Sequence, residues 1–172
     1  MGKLKNIKNK AFTKVYSKIP SLVDLYAKHA DLVVNTTTPF APLNKPLNRC
    51  RVSLVTTGGV HTKDQQPFDM TDNKGDPTYR ELPSTTSVEE LTITHNYYNH
   101  TDALDDPNLV LPLDPLRQLL QQGIIGEIGP RVFSFMGHIM DHHLKALAEE
   151  TAPEVAAALV ADKVDVAFLT PA

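Results

Sequence analysis

This chain of 172 residues contains a single cysteine, Cys50, and no tryptophan. An internal disulfide is therefore impossible, and a zinc site built on several cysteines is excluded. The sequence also lacks a run of about 18 apolar residues, so no membrane-spanning helix is predicted. The N-terminal region has no apolar signal segment, and its basic residues are all lysines. We therefore expect a cytoplasmic protein.

The charges are unevenly distributed along the chain. The net charge is −3, yet residues 1–18 hold six lysines and no acidic residue, so the remainder is strongly acidic. A basic arm on an acidic body is typical of a segment that binds a membrane surface or an acidic partner, or of a helix face that is simply exposed to solvent. We favour the solvated face, and predict neither nucleic acid nor a membrane as a partner.

The spacing of apolar residues divides the chain into two parts. Residues 3–19 place apolar side chains at helical intervals, a second short helix is predicted for 21–34, and a proline-rich strap follows to residue 46. We predict that residues 1–49 form an N-terminal helical arm with this strap. Residues 50–172 are predicted to form one α/β domain that is incomplete at its C-terminus.

Apolar runs and turn residues predict the elements of that domain. Strands are expected at 51–57, 90–94, 132–136 and 164–170, and helices at 114–122, 141–150 and 151–162. The alternation of strands and helices in the second half predicts an α/β fold with an open, mostly parallel sheet of flavodoxin-like or Rossmann-like type. The last strand is so apolar that we expect it to be buried.

The place where the printed sequence stops is informative for function. In open α/β folds, ligands gather just beyond the carboxyl ends of the parallel strands. Here the last predicted strand is followed only by Pro171 and Ala172. We therefore predict no catalytic residue within this chain, which looks like an active-site domain that stops at its active site.

The first strand runs into Gly58-Gly59-Val60-His61, at the edge of the sheet that faces ligands. Two glycines permit close backbone approach, and His61 is a candidate donor to an anionic substrate. A tight turn with a half-exposed histidine explains the motif equally well. No nucleotide-binding glycine motif is present.

Arg80 lies in an extended segment bounded by prolines, beside Glu81. A guanidinium group there can bind a carboxylate through two hydrogen bonds. The alternative is an ion pair with Glu81 or Asp76 that fixes the loop.

Two histidine clusters suggest a metal, but neither has the spacing of a known ligand motif. The first contains two histidines and three aspartates, and its Asp-Asp-Pro-Asn segment is equally typical of a turn. The second cluster is interpreted as exposed residues at the start of a helix. Cys50 is interpreted as a structural residue. We therefore predict no metal site. The cluster members are His95, His100, Asp102, Asp105 and Asp106, and then His138, His142 and His143.

Taken together, these motifs resemble the selenoprotein B subunits of the glycine, sarcosine, betaine and D-proline reductases. The resemblance extends over about residues 39–172, and the joint pattern is more specific than any one segment. The matching segments are 42–47 (PLNKPL), 55–64 (VTTGGVHTKD), 67–69 (PFD), 75–81 (GDPTYRE), 94–95 with Tyr98, 106–108 (DPN), 112–116 (PLDPL), 135–137 (FMG) and the closing strand to Pro171.

The resemblance implies a reductase that cleaves a C–N bond in a small amine or amino acid, with thiols as the reductant. It implies a selenocysteine or cysteine directly after the last strand, and a pyruvoyl group on a partner subunit as the cofactor. The partners expected are that pyruvoyl-bearing subunit and thiol-reductant proteins, in an oligomer. The substrate-binding residues that it suggests are Gly58, Gly59, His61, Arg80, His95 and Tyr98.

Several interpretations of the C-terminal end and of the function remain open. Residue 173 is hypothesised to be a selenocysteine whose codon was taken as a stop, although a gene boundary or an artificial truncation would give the same end. The second hypothesis for function is a non-catalytic module of the same fold that binds a small anion or assists assembly. The third is a metal-dependent hydrolase that uses the histidines and aspartates at 95–106.

Overall fold

The structure is a computed structural model and describes residues 40–172. The helices predicted for 3–19 and 21–34 lie outside the described residues. Residues 40–46 of the strap are exposed and irregular, and a 3₁₀ turn, Leu47–Arg49, connects them to the first strand. The boundary between arm and domain stays a prediction.

The described residues form seven strands and four α-helices, with several 3₁₀ turns. The strands are β1 (Arg51–Thr56), β2 (Val60–Thr62), β3 (Tyr79–Pro83), β4 (Leu91–Ile93), β5 (Glu127–Ile128), β6 (Arg131–Phe135) and β7 (Val166–Thr170). The helices are α1 (Thr101–Asp105), α2 (Leu113–Gln121), α3 (His142–Ala146) and α4 (Ala152–Ala161).

Strand β1 lies at the centre of a five-stranded sheet. It pairs in parallel with β5, β6 and β7, whereas β3 pairs antiparallel with β6. Strands β2 and β4 form a separate antiparallel pair. The prediction of an α/β fold with an open, mostly parallel sheet is confirmed.

The sheet separates two apolar clusters. Val52 and Leu54 of β1 belong to the larger cluster, together with residues of α2 such as Leu116. Phe133 and Phe135 of β6 form the smaller cluster with Val155 of α4. Both β1 and β6 contribute side chains to the two clusters, and most residues of both strands are buried, which is typical of parallel strands with a core on each face. Cys50 is fully buried in the larger cluster, as expected of a structural residue.

The C-terminal helical region differs from its prediction. We expected one helix at 141–150 and another at 151–162, but the helical conformation is continuous from His142 to Ala161, with a π-helical turn at Leu147–Thr151. The second helix contains a proline in its first turn, at Pro153. A proline cannot donate to the preceding turn, and a π turn changes the hydrogen-bonding pattern there, so the chain continues without a break.

Helix α2 begins at Leu113, one residue before the predicted start at 114. Its predicted end is confirmed, because Gly123 has a φ of +68° directly after the last turn. A left-handed residue at this position is a common helix terminator.

The prediction of a buried last strand is wrong. Strand β7 is parallel, as expected, but it pairs only with β1 among the described residues and forms an edge of the sheet. Phe168 and Leu169 are 54% and 68% exposed. The apolar sequence predicted the parallel strand correctly. Burial depends on neighbouring elements, and residues 40–172 leave the side chains of Phe168 and Leu169 largely exposed.

We expect the exposed β7 edge to cause self-association, which replacement of Leu169 by lysine should reduce. Unpaired apolar edge strands pair with other chains, and a lysine on the edge discourages this. Sedimentation velocity over a concentration series should show a lower average mass for Leu169→Lys, with stability changed by less than about 0.5 kcal/mol. The matched control is Leu104→Lys, an exposed leucine on α1. Equal effects of the two variants would contradict the prediction.

Among residues 40–172, no helix combines the length and the apolarity needed to cross a membrane.

Candidate functional site at the carboxyl edge of the sheet

The carboxyl ends of β1, β6 and β7 meet at one edge, because these strands are parallel. The backbone N–H of Thr57 donates to the carbonyl of Thr170 at 3.0 Å. The N–H of Ala172 donates to the hydroxyl oxygen of Thr57 at 3.2 Å. The segment after β7 is therefore held beside the loop that follows β1, where α/β proteins bind ligands.

Gly58 and Gly59 bring backbones together at this edge. The N–H of Gly59 donates to the carbonyl of Phe135 at 2.9 Å, and the residue has a φ of +68°. A Cβ on Gly59 would lie 2.7 Å from the carbonyl oxygen of Thr94, so only glycine fits here. The N–H of Gly58 donates to the side chain of Thr56 at 3.0 Å. Both N–H groups are thus used within the protein, which indicates a packing role for the pair.

His95 and Tyr98 lie against these glycines. Their ring centroids are 4.6 Å apart, and the Tyr98 hydroxyl donates to the carbonyl of Gly58 at 2.9 Å. Tyr97, between them in the loop, stacks at 3.6 Å on His138, which follows β6. These contacts bring the loop at 95–98 to the ends of β1 and β6. The structure therefore gathers Gly58, Gly59, His95 and Tyr98 in one place.

His95 carries a polar atom with no partner. Its side chain is buried, and its Nδ1 accepts a hydrogen bond from the N–H of Tyr97 at 3.0 Å. A neutral ring that accepts at Nδ1 carries its proton on Nε2. The Nε2 atom is buried and has no hydrogen-bond partner among the described residues. Because a buried donor without an acceptor costs free energy, this atom is the clearest candidate for a ligand contact.

The surroundings of His95 keep the ring uncharged. Burial, followed by the nearby His100 and His138, lowers the pKa of His95 from 6.5 to about 4. Burial also raises the pKa of Tyr98 to about 12. At neutral pH the site therefore offers a neutral imidazole N–H and a neutral phenol.

The lowered pKa of His95 makes the stability of the fold depend on pH. Between pH 6.5 and pH 4 the unfolded chain protonates this histidine while the folded chain does not. The free energy of unfolding therefore does not depend on the protonation of His95 above pH 6.5. It falls by roughly 3 kcal/mol as the pH drops from 6.5 to 4 and below, because protonation of His95 then favours the unfolded chain. Urea unfolding of the wild type and His95→Phe at pH 7 and pH 4.5 measures it, because phenylalanine removes the titrating group. Equal losses in the two proteins would contradict the prediction.

His61 lies on β2, and both of its ring nitrogens are engaged. Nδ1 is 2.8 Å from the carbonyl oxygen of Thr62, so it must donate, and Nε2 is 2.8 Å from the hydroxyl of Thr94. The ring is almost fully buried and packs edge-on against Phe68. This geometry favours a structural role for His61, which joins β2 to the end of β4. The alternative expected a half-exposed histidine in a tight turn, whereas the ring is buried and lies on a strand.

Arg80 lies on β3, and its guanidinium group is used to hold a loop. It donates to the carbonyls of Gln66 and Pro67 at 2.7 and 3.1 Å, and lies 4.2 Å from the ring centre of Phe68. A carboxylate oxygen of Asp76 is 3.8 Å away. These contacts correspond to the loop-fixing interpretation, with Asp76 as the ionic partner.

One group of potential metal ligands is formed by residues that are distant in sequence. Asp72, His142 and His143 each place a ligand atom within 4.8 Å of the others. Within the described part of the chain, the histidines and aspartates at 95–106 do not come together in this way. The sequence interpretation of His142 and His143 as an exposed helix start missed Asp72.

Two further site residues were not predicted. Thr57 is the last residue of the strand predicted at 51–57, and the observed β1 ends at Thr56, so its place at the strand end was a usable signal. Tyr97 had no such signal, because its stacking on His138 depends on how two distant loops fold together.

Comparisons with known proteins give the chain a family. A family model described as glycine/sarcosine/betaine reductase selenoprotein B matches residues 23–172. The D-proline reductase subunit gamma of Acetoanaerobium sticklandii is 35% identical over 143 residues, 82% of this chain and 57% of the relative. The sarcosine reductase complex component B subunit beta of Peptoclostridium acidaminophilum is 31% identical over 103 residues, 58% of this chain and 23% of the relative.

A third relative, the glycine reductase complex component B subunit gamma of Peptoclostridium acidaminophilum, is 28% identical over 129 residues, 73% of this chain and 28% of the relative. The chain thus spans little more than half of the D-proline relative and less of the other two. No solved structure matches the chain.

Proposed function

The chain belongs to the glycine/sarcosine/betaine reductase selenoprotein B family, and we propose that it is a portion of a reductase subunit that cleaves a C–N bond. The substrate class is a small amine or amino acid such as glycine, sarcosine, betaine or D-proline, and thiols supply the electrons. The named relatives are subunits or components of reductases, which supports assembly with partner subunits.

The observation that carries this proposal is the unpartnered Nε2 of His95 at the carboxyl edge of the sheet. A substrate carboxylate oxygen is an acceptor of the right chemistry for a neutral imidazole N–H. Because His95 stays neutral, it binds the carboxylate without forming an ion pair that would have to be broken when product leaves. Tyr98 supports the ring of His95 at 4.6 Å.

The segment after β7 ends beside the same edge. The N–H of Ala172 is held by Thr57, and the hydroxyl of Thr170 donates to the carbonyl of Val110 at 2.7 Å. These two contacts fix the direction in which the chain leaves the strand. A selenocysteine or cysteine placed directly after Ala172 would therefore start from a defined position at the edge.

Two groups outside this chain complete the proposed reaction. A pyruvoyl carbonyl on a partner subunit would supply the electrophile that captures the substrate amine. The selenolate or thiolate attacks carbon, the C–N bond breaks with its electron pair going to nitrogen, and the nitrogen takes up a proton. The carbon–chalcogen bond formed in that step would then break as a thiol attacks the chalcogen, and the carbon would leave with the electron pair of the bond and take up a proton. A second thiol would reduce the resulting chalcogen–sulfur bond, so that the chalcogen returns as a selenol or thiol and a disulfide forms. Within this chain, His95 holds the substrate, and Thr57 positions the strand end.

A second candidate function is a non-catalytic module that binds a small anion or assists assembly. It is favoured by the internal use of the Gly58 and Gly59 N–H groups and of the Arg80 guanidinium group. These contacts reduce the number of polar groups that remain for a substrate.

The codon after position 172 and the activity of the complete subunit test the proposal. We expect that codon to be UGA or a cysteine codon, with an open frame beyond it. The complete subunit, co-expressed with its pyruvoyl-bearing partner and given a dithiol, should convert at least one of the four substrates to the product of C–N cleavage, detected by mass spectrometry. The control replaces the residue after Ala172 by serine, which should abolish turnover.

Failure to convert any of the four substrates, with both subunits soluble and associated, would overturn the catalytic proposal. Binding of a small carboxylate by that inactive assembly, measured by calorimetry, would then support the non-catalytic module. A conventional stop codon with no coding frame beyond it would overturn the selenocysteine hypothesis.

A further inference from the structure

The strongest unassigned feature of the molecule is the cluster of Asp72, His142 and His143. Asp72 lies in the loop before β3, and the two histidines begin α3, about seventy residues later in the chain. The Nε2 atom of His143 is 3.0 Å from Oδ2 of Asp72, and the Nε2 atom of His142 is 4.0 Å from the same oxygen. Two imidazole nitrogens thus converge on one carboxylate oxygen.

This convergence is unusual for adjacent helical residues. Neighbours in sequence normally point to different sides of a helix. Here the two ring centres are only 4.0 Å apart. The helix begins directly after Asp141, whose φ is +51°, so the first histidine is not yet constrained by a preceding helical turn.

The carboxylate is held in place from the other side. Oδ1 of Asp72 accepts the N–H of Lys74 at 2.8 Å, which leaves Oδ2 directed at the histidines. The side chain of Lys74 forms an ion pair with Asp141. The backbone carbonyl of Lys74 accepts a hydrogen bond from the N–H of Met140 at 2.8 Å. The loop and the helix start are therefore tied together by contacts that do not use the three ligand atoms.

From this geometry we propose that Asp72, His142 and His143 form a binding site for a divalent transition-metal ion of the Zn²⁺ class. Two imidazoles and one carboxylate are a ligand set suited to such ions. In a tetrahedral site with bonds of about 2.0–2.1 Å, ligand atoms lie about 3.3 Å apart. The two imidazole–carboxylate separations of 3.0 and 4.0 Å bracket this value, and all three ligand atoms lie within 4.8 Å of one another.

The fourth position faces water. His142 is 67% exposed, and His143 and Asp72 line an open cleft that also contains Asp69 and Arg80. An exposed fourth position permits a water molecule or an incoming ligand to complete the coordination. The ligands lie on the loop before β3 and at the start of α3, apart from the loop that carries His95, and the inference does not rest on the proposed reductase activity.

Cobalt titration of the full chain tests the site. After treatment with a chelator and its removal, Co²⁺ should bind one per chain and give the intense visible absorption of a low-coordinate complex. Zn²⁺ should displace it and should raise the midpoint of thermal unfolding, because the ion joins two distant segments.

Variants of the ligands and matched controls decide the outcome. Asp72→Asn, His142→Ala and His143→Ala should each weaken Co²⁺ binding by at least about tenfold. Asp64→Asn and His100→Ala, which change the same residue types outside the cluster, should bind as the wild type does. If His143→Ala fails to fold, the exposed His142 still provides the test. Wild-type chain that gives only the spectrum of hydrated Co²⁺, or binding that no ligand variant weakens, would overturn the site.

Discussion

Replacing Gly75 by alanine is expected to destabilise the fold by more than about 4 kcal/mol. Gly75 has a φ of +95°, and a Cβ there would lie 1.6 Å from the carbonyl oxygen of His138. Gly75 also forms a bridge with Ile139. The clash is with backbone, so a side-chain rotation cannot relieve it, and the loop must separate from the segment after β6. The midpoint of urea unfolding is the measurement.

Gly123→Ala is the matched control for this prediction. Gly123 also has a positive φ, of +68°, but a Cβ there meets no atom within 4 Å. Only the backbone strain remains, which costs about 1–2 kcal/mol. Similar losses in the two variants would show that the contact of Gly75 with His138 does not determine stability.

Replacing His95 by phenylalanine is expected to lower kcat/KM of the complete reductase by about 10- to 100-fold, the loss that follows from one hydrogen bond to a charged group. Phenylalanine keeps the ring contacts with Tyr97 and Tyr98 but cannot donate from the position of Nε2. Steady-state kinetics with the preferred substrate, in the assembly with the partner subunit, measures the effect.

Two further variants separate binding from structure at His95. His95→Gln places an N–H near the position of Nε2 and should recover much of the activity. Asp102→Asn changes an exposed residue in the adjacent helix α1 and should act as the wild type does. The pH profile of wild-type activity should also carry no contribution from His95 above pH 6, since burial lowers the pKa of His95 to about 4. Full activity in His95→Phe would remove this residue from the proposed site.

Local sequence signals predicted most elements of the described fold. The runs at 51–57 and 132–136 became β1 and β6, and the helix expected at 114–122 became α2 with Gly123 at its end. Such patterns succeed because apolar periodicity and turn residues act over a few neighbouring positions. They failed where a neighbour decides the outcome, as in the exposure of β7 and the π turn before Pro153.

The candidate site could be predicted only in part. Residues 58 and 59 were expected at the ligand edge because they follow a strand, and they do lie there. However, the N–H of Gly58 donates to the Thr56 side chain and the N–H of Gly59 donates to the carbonyl of Phe135. No local sequence pattern predicts these hydrogen bonds. Arg80 and His61 have side chains that can donate to an anionic substrate, but in the structure they donate to backbone carbonyls of the protein itself.

The sequence by itself determined the family resemblance, the α/β class and the parallel strands, because composition and spacing carry that information along the chain. Only the tertiary structure decided which polar atoms remain unpaired. The N–H of Tyr97 donates to Nδ1 of His95, which places the proton of the neutral ring on Nε2. Burial keeps that ring uncharged by lowering its pKa. Asp72 meets His142 and His143 only because the loop before β3 packs against the start of α3. Hydrogen-bond satisfaction and burial are properties of the packed molecule, and they distinguish a binding group from a structural one.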